Sequence, residues 1–487
     1  MFPPTTGNDR GLTMRSFDLI IGGKAAKKSP KTAIKSPYDG KAVGKVVFGD
    51  KHDFEKAIRS ACDAFPIISH MPAHDRARML RRVSAILTER RQELGETIRD
   101  EAGKPITLAL REVDRAISTF ALAADEALRI DGSTIPFDST AVGAGRTGLY
   151  RRFPLGPILG ITPFNFPLNL VCHKVAPAIA AGNSIVIKPA SQTPMAALML
   201  QQIVADAGFP AGVLNVVPCP STVANEFIGD PRIKMITFTG SADVGWGLKQ
   251  RAAKARVTLE LGGNAATIVE PDYGLVDAAR KLAVGAFSNA GQICISVQRI
   301  YVHESVFVAF MELFLQIIDN EIQCGDPADP DVVCGPMIDK ANADRIEEWI
   351  KEAVTSGARV QRFGKRKGNV VPPTVLTKVD PKLRICDCEA FGPVAIVDSY
   401  KTFDEAIAKV NDSRYGLQAG IFTNDIGKVM KAFRELEVGG IIHNDTSNYR
   451  TDPMPYGGTK DSGLGREGLR YAIEEMTEPK LLVIRET

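Results

Sequence analysis

The sequence has few cysteines, no long hydrophobic run and little excess of charge of either sign. Eight cysteines in 487 residues, with no Cys-x-x-Cys pair, exclude a disulfide-rich scaffold and the common zinc-binding spacings. No run of about 18 apolar residues is present, which argues against a membrane-spanning helix. A net charge of +3 gives no indication of nucleic-acid binding. We therefore expect a cytoplasmic protein with reduced thiols, no bound metal ion and no nucleic-acid or membrane partner.

The length of the chain predicts more than one domain. At 487 residues it exceeds the size at which a single hydrophobic core keeps growing. A composition of 44% hydrophobic and 24% charged residues is that of an ordinary globular protein. Residues 1–15 contain proline, glycine and polar residues without a continuous apolar segment. We expect a disordered tail there, not a signal peptide.

The hydrophobic pattern changes once along the chain. Residues 53–128 have the periodicity of amphipathic helices. From residue 156 to 261, short apolar strands alternate with helical stretches, and a second such series runs from 276 to 444. Alternation of this kind predicts βα units and mostly parallel sheets, so the fold class is α/β with two open-sheet domains. Residues 129–152 and 471–487 favour β-structure but belong to neither series.

Two glycine-punctuated segments carry the residues with the clearest chemistry. Glu260 lies in Val257-Thr-Leu-Glu-Leu-Gly-Gly263, where it ends an apolar strand just before the double glycine, and Cys294 ends Gly291-Gln-Ile-Cys. A thiolate attacks carbonyl carbon readily and leaves again from a thioester. A partly desolvated glutamate has a raised pKa, which suits a base that activates water. Taken alone, a free cysteine is more often inert and a strand-end glutamate more often exposed.

Three further segments accompany these two. They are Thr162-Pro-Phe-Asn165-Phe-Pro167, Glu389-Ala-Phe-Gly-Pro393 and Pro455-Tyr-Gly-Gly-Thr-Lys-Asp-Ser-Gly463. In this order and spacing, the five segments resemble the aldehyde dehydrogenase superfamily over roughly residues 35–480. The pattern looks closest to the subgroup of lactaldehyde, glyceraldehyde and phosphonoacetaldehyde dehydrogenases.

The resemblance implies an architecture of two Rossmann-like domains and a small β arm that bridges subunits. Residues 16–128 and 153–260 would form the dinucleotide-binding domain, and residues 261–444 the catalytic domain. Residues 129–152 and 471–487 would form the arm, which implies a homodimer or homotetramer. Long edge strands of this kind need a partner strand.

The resemblance also assigns the catalytic roles. Cys294 would attack an aldehyde, Glu260 would activate the water that hydrolyses the thioester, and NAD(P) would accept the hydride. Asn165 lies in a turn between two prolines, where an asparagine is usually a turn former. By resemblance, its amide would donate to the oxyanion together with the backbone N–H of Cys294.

The usual Gly-x-Gly-x-x-Gly fingerprint of dinucleotide binding is absent. Residues 235–245 instead predict a strand, a turn at Gly240 and Ser241, and a helix whose N-terminus suits a pyrophosphate. Lys188 ends a predicted strand and is implied to contact the adenine ribose. Ser191 replaces a carboxylate that would repel a 2′-phosphate, so we expect NADP to be accepted, and NAD is the alternative. The remaining implied cofactor contacts are Thr162, Pro163, Leu261, Gly262, Glu389 and Phe391.

Three residues are candidates for contact with a small polar aldehyde. His173, about two helical turns after Asn165, occupies a position where relatives for apolar aldehydes carry a large aromatic residue. Arg111 and Arg450 are candidates to meet a distal hydroxyl, carboxylate or phosphate. Each has a purely structural alternative, as a core histidine or as an ion-pair arginine. Ile293, before the nucleophile, does not favour strong phosphate specificity.

Two other functions remain open from the sequence. A coenzyme A-acylating dehydrogenase would transfer the acyl group to coenzyme A and would tolerate loss of Glu260. A non-catalytic binding protein of the same fold would normally have lost Cys294 or Glu260. Because both residues are present, the hydrolytic enzyme is favoured.

Overall fold

The computed structural model describes residues 14–26 and 30–486. Most of the expected disordered tail, residues 1–13, lies outside the described residues. The expected tail also included Arg15, and for this residue the prediction is wrong. Arg15 begins a strand, because residues 15–17 pair in parallel register with residues 44–46. No helix in the described ranges is long and apolar enough to cross a membrane.

Strands and helices alternate along most of the described chain. The strands are β1 (Arg15–Phe17), β2 (Ile20–Ile21), β3 (Lys24–Ala25), β4 (Thr32–Lys35), β5 (Ala42–Val46), β6 (Gly132–Ile135), β7 (Arg146–Pro154), β8 (Ile158–Ile161), β9 (Ile185–Lys188), β10 (Leu214–Val216), β11 (Met235–Thr239), β12 (Arg256–Glu260), β13 (Ala266–Val269), β14 (Arg299–His303), β15 (Gln323–Cys324), β16 (Val332–Cys334), β17 (Arg359–Arg362), β18 (Thr374–Thr377), β19 (Val394–Tyr400), β20 (Tyr415–Gly416), β21 (Gln418–Phe422), β22 (Gly440–His443), β23 (Thr459–Lys460), β24 (Gly463–Leu464) and β25 (Thr477–Arg485).

The helices between them are mostly amphipathic. They are α1 (Lys51–His70), α2 (Ala73–Glu89), α3 (Arg91–Ala102), α4 (Ile106–Ala127), α5 (Asn169–Ala181), α6 (Met195–Asp206), α7 (Ser221–Asn225), α8 (Ala242–Arg251), α9 (Leu275–Phe287), α10 (Phe307–Glu321), α11 (Lys340–Thr355), α12 (Arg384–Asp387), α13 (Phe403–Asn411), α14 (Ile426–Glu435) and α15 (Leu469–Glu475). Short 3-10 helices lie at Phe137–Ser139, Ala141–Gly143, Ser288–Gly291 and Glu304–Val306.

The first domain is built on a six-stranded sheet of order β10-β9-β8-β11-β12-β24. The first five strands are parallel, and β24 adds to β12 in antiparallel register. Alternate residues of one strand face opposite cores: Ile185 and Ile187 pack with α2, α4 and α5, whereas Val186 packs with α1. Burial on both faces explains why these strands read as continuous apolar runs.

The second domain repeats this arrangement with a seven-stranded sheet of order β17-β18-β19-β14-β13-β21-β22. Only the edge strand β17 is antiparallel to its neighbour. In β14, Ile300 and Val302 enter the core beneath α9 and α10, while Tyr301 faces the core with α13 and α14. The predicted α/β fold with two parallel-sheet domains is confirmed.

A separate antiparallel sheet of order β25-β7-β6 extends from the first domain. Strand β7 pairs with β25 over nine residue pairs, from Thr477 opposite Pro154 to Arg485 opposite Arg146. Residues 471–475, which we expected to be part of the β arm, belong instead to α15, because Ala472 and Ile473 are buried. Four consecutive apolar residues of β25 are exposed: Leu481, Leu482, Val483 and Ile484.

Several elements do not appear in the sequence-based prediction. The central strand β13 and the strand β18 are four residues long, and at that length an apolar run does not distinguish a strand from a buried helix. Helices α13 and α14 were also not predicted. The exact domain boundaries stay a prediction.

Candidate active site

The carboxyl ends of β8, β11 and β12 open into a cavity of about 350 Å³ between the two sheets. This edge is where open parallel sheets bind their ligands. The cavity is lined by ten of the residues singled out from the sequence: Pro163, Asn165, Gly240, Ser241, Glu260, Leu261, Gly262, Cys294, Glu389 and Phe391. Residues that are more than 200 positions apart in the sequence therefore meet in one cleft.

Cys294 is held by a strained turn at the end of α9. Asn289 and Ala290 adopt left-handed backbone conformations, with φ of 53° and 55°, which L-residues rarely adopt. Gly291 follows with φ of 67°, and a Cβ there would lie 2.2 Å from the carbonyl oxygen of Gly392. Only glycine fits this position, so the turn that delivers the thiol depends on it. Burial raises the pKa of Cys294 to about 11.

Glu260 ends β12 and points its carboxyl group into the cavity. The residue is buried, and neither carboxyl oxygen has a hydrogen-bond partner in the described part of the chain. Burial, followed by repulsion from Glu467, raises its pKa well above the usual value. Once ionised, a carboxylate left without partners in this way is more basic than usual and is available to take a proton.

Glu467, close to Glu260, has the opposite protonation behaviour. Burial alone would raise its pKa, but Lys174, His173 and Arg450 together hold it well below the usual range. Lys174 Nζ lies 3.1 Å from Glu467 Oε1, and it also donates to Thr237 and Thr239. The pKa values of the two neighbouring carboxyl groups are therefore shifted in opposite directions. Glu467 is ionised, whereas the neutral form of Glu260 is favoured.

Asn165 is fixed by one hydrogen bond, from its Nδ2 to the carbonyl oxygen of Gln292, at 2.9 Å. Its second amide hydrogen is not used in this contact, and its Oδ1 is buried without a partner. The backbone N–H of Cys294 also makes no hydrogen bond within residues 14–26 and 30–486. Two N–H donors are thus free beside the thiol.

The other end of the cavity has the features of a dinucleotide site. Ser241 caps α8 without a side-chain hydrogen bond, so the helix N-terminus faces the cleft uncapped. Gly262 lies directly against Glu389, since a Cβ there would be 2.4 Å from Glu389 Oε2. Glu389 Oε1 accepts the backbone N–H of Gly263 at 3.1 Å, and burial raises the pKa of Glu389 to about 7. An exposed helix N-terminus and a carboxyl group fit a pyrophosphate and a ribose hydroxyl.

Phe391 and three predicted residues outside this cavity complete that end of the cleft. Phe391 packs edge-on against Phe164, with ring centroids 5.8 Å apart. Thr162 donates its backbone N–H to the carbonyl oxygen of Lys188 at 3.2 Å, which joins the ends of β8 and β9. Lys188 Nζ has no hydrogen-bond or salt-bridge partner among the described residues, and burial lowers its pKa. Ser191 Oγ donates to the carbonyl oxygen of Cys219 at 3.3 Å.

His173 and Arg450 meet in a buried polar cluster behind Cys294. His173 Nε2 lies 2.9 Å from Asp452 Oδ1, and one Nη atom of Arg450 lies 2.8 Å from both His173 Nδ1 and Glu467 Oε2. Arg450 also lies over the ring of Tyr456, with its guanidinium carbon 3.6 Å from the centroid. The Tyr456 hydroxyl in turn lies 3.0 Å from Cys294 Sγ.

Arg111 does not reach this cluster. It is exposed on α4, and no contact with the site is found for it in the described ranges. Arg115, one helical turn later on the same face, extends an Nη atom to Asp452 Oδ1 at 2.7 Å. Arg111 was the candidate from the sequence, but the arginine of α4 that reaches the cluster is Arg115.

Several residues of the site were not predicted from the sequence. Asn342 and Arg345, at the start of α11, line the cavity, and Arg345 donates to the carbonyl oxygen of Ala390 at 2.9 Å. Nothing in the local pattern of α11 distinguishes them from a solvated helix face. Tyr456 lies within the segment Pro455 to Gly463 that the sequence analysis did single out. The presence of a hydroxyl group in that segment was the only feature of the sequence that could have marked it as a site residue. Among the described residues, no group of three or more His, Cys, Asp or Glu is arranged to hold a metal ion.

Comparison with known proteins agrees with this geometry. The model of the aldehyde dehydrogenase family matches residues 24–482. The chain belongs to the aldehyde dehydrogenase family. A relative named 3-sulfolactaldehyde dehydrogenase, from Priestia aryabhattai, is 43% identical over 97% of this chain and 98% of its own length.

Two solved structures of the family are similar along almost the whole chain. Aldehyde dehydrogenase 21 from Physcomitrella patens, in complex with the reaction product succinate, superposes with a TM-score of 0.95 at 41% identity, over 98% of this chain and 99% of the other. Glyceraldehyde-3-phosphate dehydrogenase GapN from Methanocaldococcus jannaschii, complexed with NADP, has a TM-score of 0.90 at 36% identity, over 94% of this chain and 100% of the other. The protein is thus an NAD(P)-dependent aldehyde dehydrogenase, an oxidoreductase that converts an aldehyde to an acid.

Proposed function

We propose that Cys294 is the nucleophile of this enzyme, that Asn165 holds the oxyanion and that Glu260 is the base for hydrolysis. The sulfur of Cys294 forms a bond to the aldehyde carbon, and the carbonyl electron pair moves to oxygen. The oxygen then lies beside two free donors, the second amide hydrogen of Asn165 and the backbone N–H of Cys294. Donors fixed before the reaction stabilise the developing charge without reorganisation.

Glu260 completes the reaction by hydrolysis. NAD(P), when bound in the cleft, supplies the hydride acceptor that turns the thiohemiacetal into a thioester. The buried carboxyl of Glu260 acts in its ionised form: the carboxylate, made more basic by its raised pKa and left without hydrogen-bond partners in the described part of the chain, takes a proton from water as the water attacks the thioester, and the acid leaves as the C–S bond breaks. Transfer of the acyl group to coenzyme A would not need such a base, so the free carboxyl supports hydrolysis.

The cofactor contacts follow from the same cleft. Gly240 and Ser241, at the N-terminus of α8, would hold the pyrophosphate, and Glu389 would accept from a ribose hydroxyl. The unpartnered Nζ of Lys188 and the hydroxyl of Ser191 leave room and positive charge for a 2′-phosphate. We propose that Thr162, Pro163, Leu261, Gly262 and Phe391 shape the rest of the site and that NADP is accepted.

We further propose that the substrate is a small aldehyde with an anionic group at its far end. The observation that carries this proposal is the Arg450 guanidinium, which is buried one aromatic ring away from Cys294, with its Nε atom unpaired. The Nε atom of Arg115 is also buried and unpaired in the described part of the chain. Arginine is well suited to bind a planar or trigonal anion through several N–H groups.

The charge of the cluster supports the same substrate class. Three cations, Lys174, Arg115 and Arg450, face two carboxylates, Asp452 and Glu467. Glu260 also faces Arg450 and Lys174, and while its raised pKa keeps it neutral the cluster has one cation in excess. Burial of an unbalanced charge is costly, so one further negative charge would stabilise the cluster. The product succinate of one structural neighbour and the sulfonate implied by the name of a relative both carry such a charge beyond the reacting carbon.

The experiment that tests this proposal is a substrate panel in which NAD(P)H formation is followed without coenzyme A. The panel would compare 3-sulfolactaldehyde, succinate semialdehyde, lactaldehyde and propanal, with the Cys294→Ser variant as the blank. We expect kcat/KM for the best anionic aldehyde to exceed that for propanal by at least tenfold. Equal values for charged and neutral aldehydes would refute the anionic substrate, and turnover only with coenzyme A would refute hydrolysis by Glu260.

The subunit arrangement and the compartment are also proposals. The exposed run from Leu481 to Ile484 on β25 suits burial in a subunit contact, which supports a homodimer or homotetramer formed through residues 129–152 and 477–485.

All eight cysteines lie in the described residues and are free thiols, which supports a reducing compartment such as the cytoplasm. We also propose the domain boundaries 16–128 with 153–260 and then 261–444, which are supported by the membership of β8 to β12 in the first sheet and of β13, β14, β17 to β19, β21 and β22 in the second.

A further inference from the structure

Tyr456 lies between the nucleophile and a buried positive charge. The residue is 3% exposed and packs with Leu417. Its backbone is fixed by two hydrogen bonds to Glu467, one in each direction, at 3.0 and 2.7 Å. The hydroxyl consequently points at Cys294 Sγ, 3.0 Å away, while Arg450 covers the ring.

The contact between Tyr456 and Cys294 changes character when the thiol ionises. In the neutral state either group can donate, and a thiol is a poor donor and a poor acceptor. A thiolate has no hydrogen, so the tyrosine O–H must donate to it, and this bond is charge-assisted. A bond that is strong only in the ionised state favours ionisation, so the hydroxyl makes the nucleophilic form of Cys294 more accessible.

Cys294 needs such a donor because its surroundings oppose ionisation. Burial is the main cause that raises its pKa, to about 11, and the carboxyl groups of Glu389 and Glu260 raise it further. Against these, Tyr456 and Arg450 lower it. Tyr456 itself remains a donor, because burial and the neighbouring sulfur raise its own pKa well above the usual value.

We propose that Tyr456 is a catalytic residue that donates a hydrogen bond to the Cys294 thiolate and so prepares it for attack on the aldehyde. This inference rests on the proposed role of Cys294 as nucleophile. The thiol first releases its proton to solvent, the sulfur lone pair then forms the C–S bond as the π electrons of the carbonyl move to its oxygen, and Tyr456 keeps its own proton throughout. Arg450 over the ring strengthens the donor, since a cation on the π-face withdraws electron density from the hydroxyl.

The test is the alkylation rate of Cys294 in the Tyr456→Phe variant, measured with iodoacetamide between pH 6 and pH 10 in the full-length enzyme without substrate. The tryptic peptide of residues 282–299 contains Cys294 and no other cysteine, so mass spectrometry reports this site alone. Loss of a hydrogen bond to a charged group is expected to raise the apparent pKa by about 1 to 2 units. At pH 8 alkylation should therefore be about 10- to 100-fold slower than in the wild type.

Tyr301→Phe is the matched control, because it removes a buried tyrosine hydroxyl in the second domain that bonds Arg299 and Lys409. It should leave the alkylation profile of Cys294 unchanged. A second readout is the acid limb of the kcat/KM profile, which should move to higher pH in Tyr456→Phe while the melting temperature stays within a few degrees.

The outcomes separate this inference from the function on which it rests. An unchanged alkylation profile in Tyr456→Phe would overturn the role of Tyr456 and leave the roles of Cys294 and Glu260 intact. A fall in melting temperature without a change in the profile would make Tyr456 structural only and would also overturn it. Normal turnover by Cys294→Ser would instead refute the proposed nucleophile.

Discussion

The guanidinium of Arg450 lies over the ring of Tyr456, with its central carbon 3.6 Å from the ring centroid. The same guanidinium contacts Glu467, the carboxylate that repels Glu260 and raises its pKa. Arg450 thus acts on the nucleophile through Tyr456 and on the proposed base through Glu467. In the proposed mechanism, substrate binding and both chemical steps are therefore coupled to a single buried charge.

Arg115 and Arg111 form a matched pair for testing the anion site. They lie one turn apart on the same face of α4, but only Arg115 reaches Asp452. We expect Arg115→Leu to raise KM for 3-sulfolactaldehyde or succinate semialdehyde about tenfold or more. This is the loss of affinity that corresponds to removing one charge-assisted hydrogen bond. The KM for propanal should change less than threefold. Steady-state kinetics on both substrates checks this expectation.

Arg111→Leu should change neither KM, because the side chain is exposed and has no contact with the cluster in the described part of the chain. An equal rise for charged and neutral aldehydes in Arg115→Leu would mean that the residue supports the fold of the site and not the substrate anion.

Ser191 is the position that should set cofactor choice. A carboxylate at this place would repel a 2′-phosphate and accept from a ribose diol. We expect Ser191→Glu to lower kcat/KM for NADP at least about 100-fold, equivalent to about 2.7 kcal/mol, and to leave that for NAD unchanged or higher. Ser191→Gln introduces a side chain of the same size as glutamate but without its charge. It should change kcat/KM for NADP and for NAD less than tenfold. A wild-type preference for NAD above about 100-fold would contradict the premise.

The sequence predicted those parts of the site that local pattern encodes. Glu260 and Asn165 sit at strand ends or in proline turns, and parallel strands place their carboxyl ends at one edge. Cys294 follows a glycine whose neighbours leave no room for a Cβ. The spacing of hydrophobic residues predicted helices α4, α5 and α11 and most central strands of both sheets. It did not predict β13, which is too short to have a recognisable pattern.

The remaining part of the site depends on contacts between distant segments. His173 meets Asp452 across 279 positions, and Cys294 meets Tyr456 across 162. The sequence pattern around Tyr456 does not predict that its hydroxyl reaches Cys294. Likewise, the pattern around Glu467 does not predict that this carboxylate repels Glu260. The choice between Arg111 and Arg115 likewise depends on where α4 crosses the loop that contains Asp452, which periodicity alone does not give.

Glu260→Gln should separate the two halves of the reaction. Hydride transfer does not need the base, whereas hydrolysis does, so a first-turnover burst of NAD(P)H should persist while steady-state turnover falls about 10²- to 10⁴-fold. Stopped-flow absorbance with one equivalent of enzyme measures the burst. Steady-state turnover within a factor of three of the wild type would exclude Glu260 as the base.

The same variant should be more stable than the wild type, but only at higher pH. The pKa of Glu260 is raised in the folded protein above its unfolded value of 4.5. Between these two values the folded chain holds a proton that the unfolded chain has released, so stability falls as pH rises through this window. Glutamine does not titrate and avoids this loss. We expect the melting temperature of Glu260→Gln to match the wild type near pH 5 and to exceed it at pH 8.5 by about 1–3 °C. A difference that is the same at both pH values would mean that ionisation of the buried carboxyl is not what destabilises the folded protein.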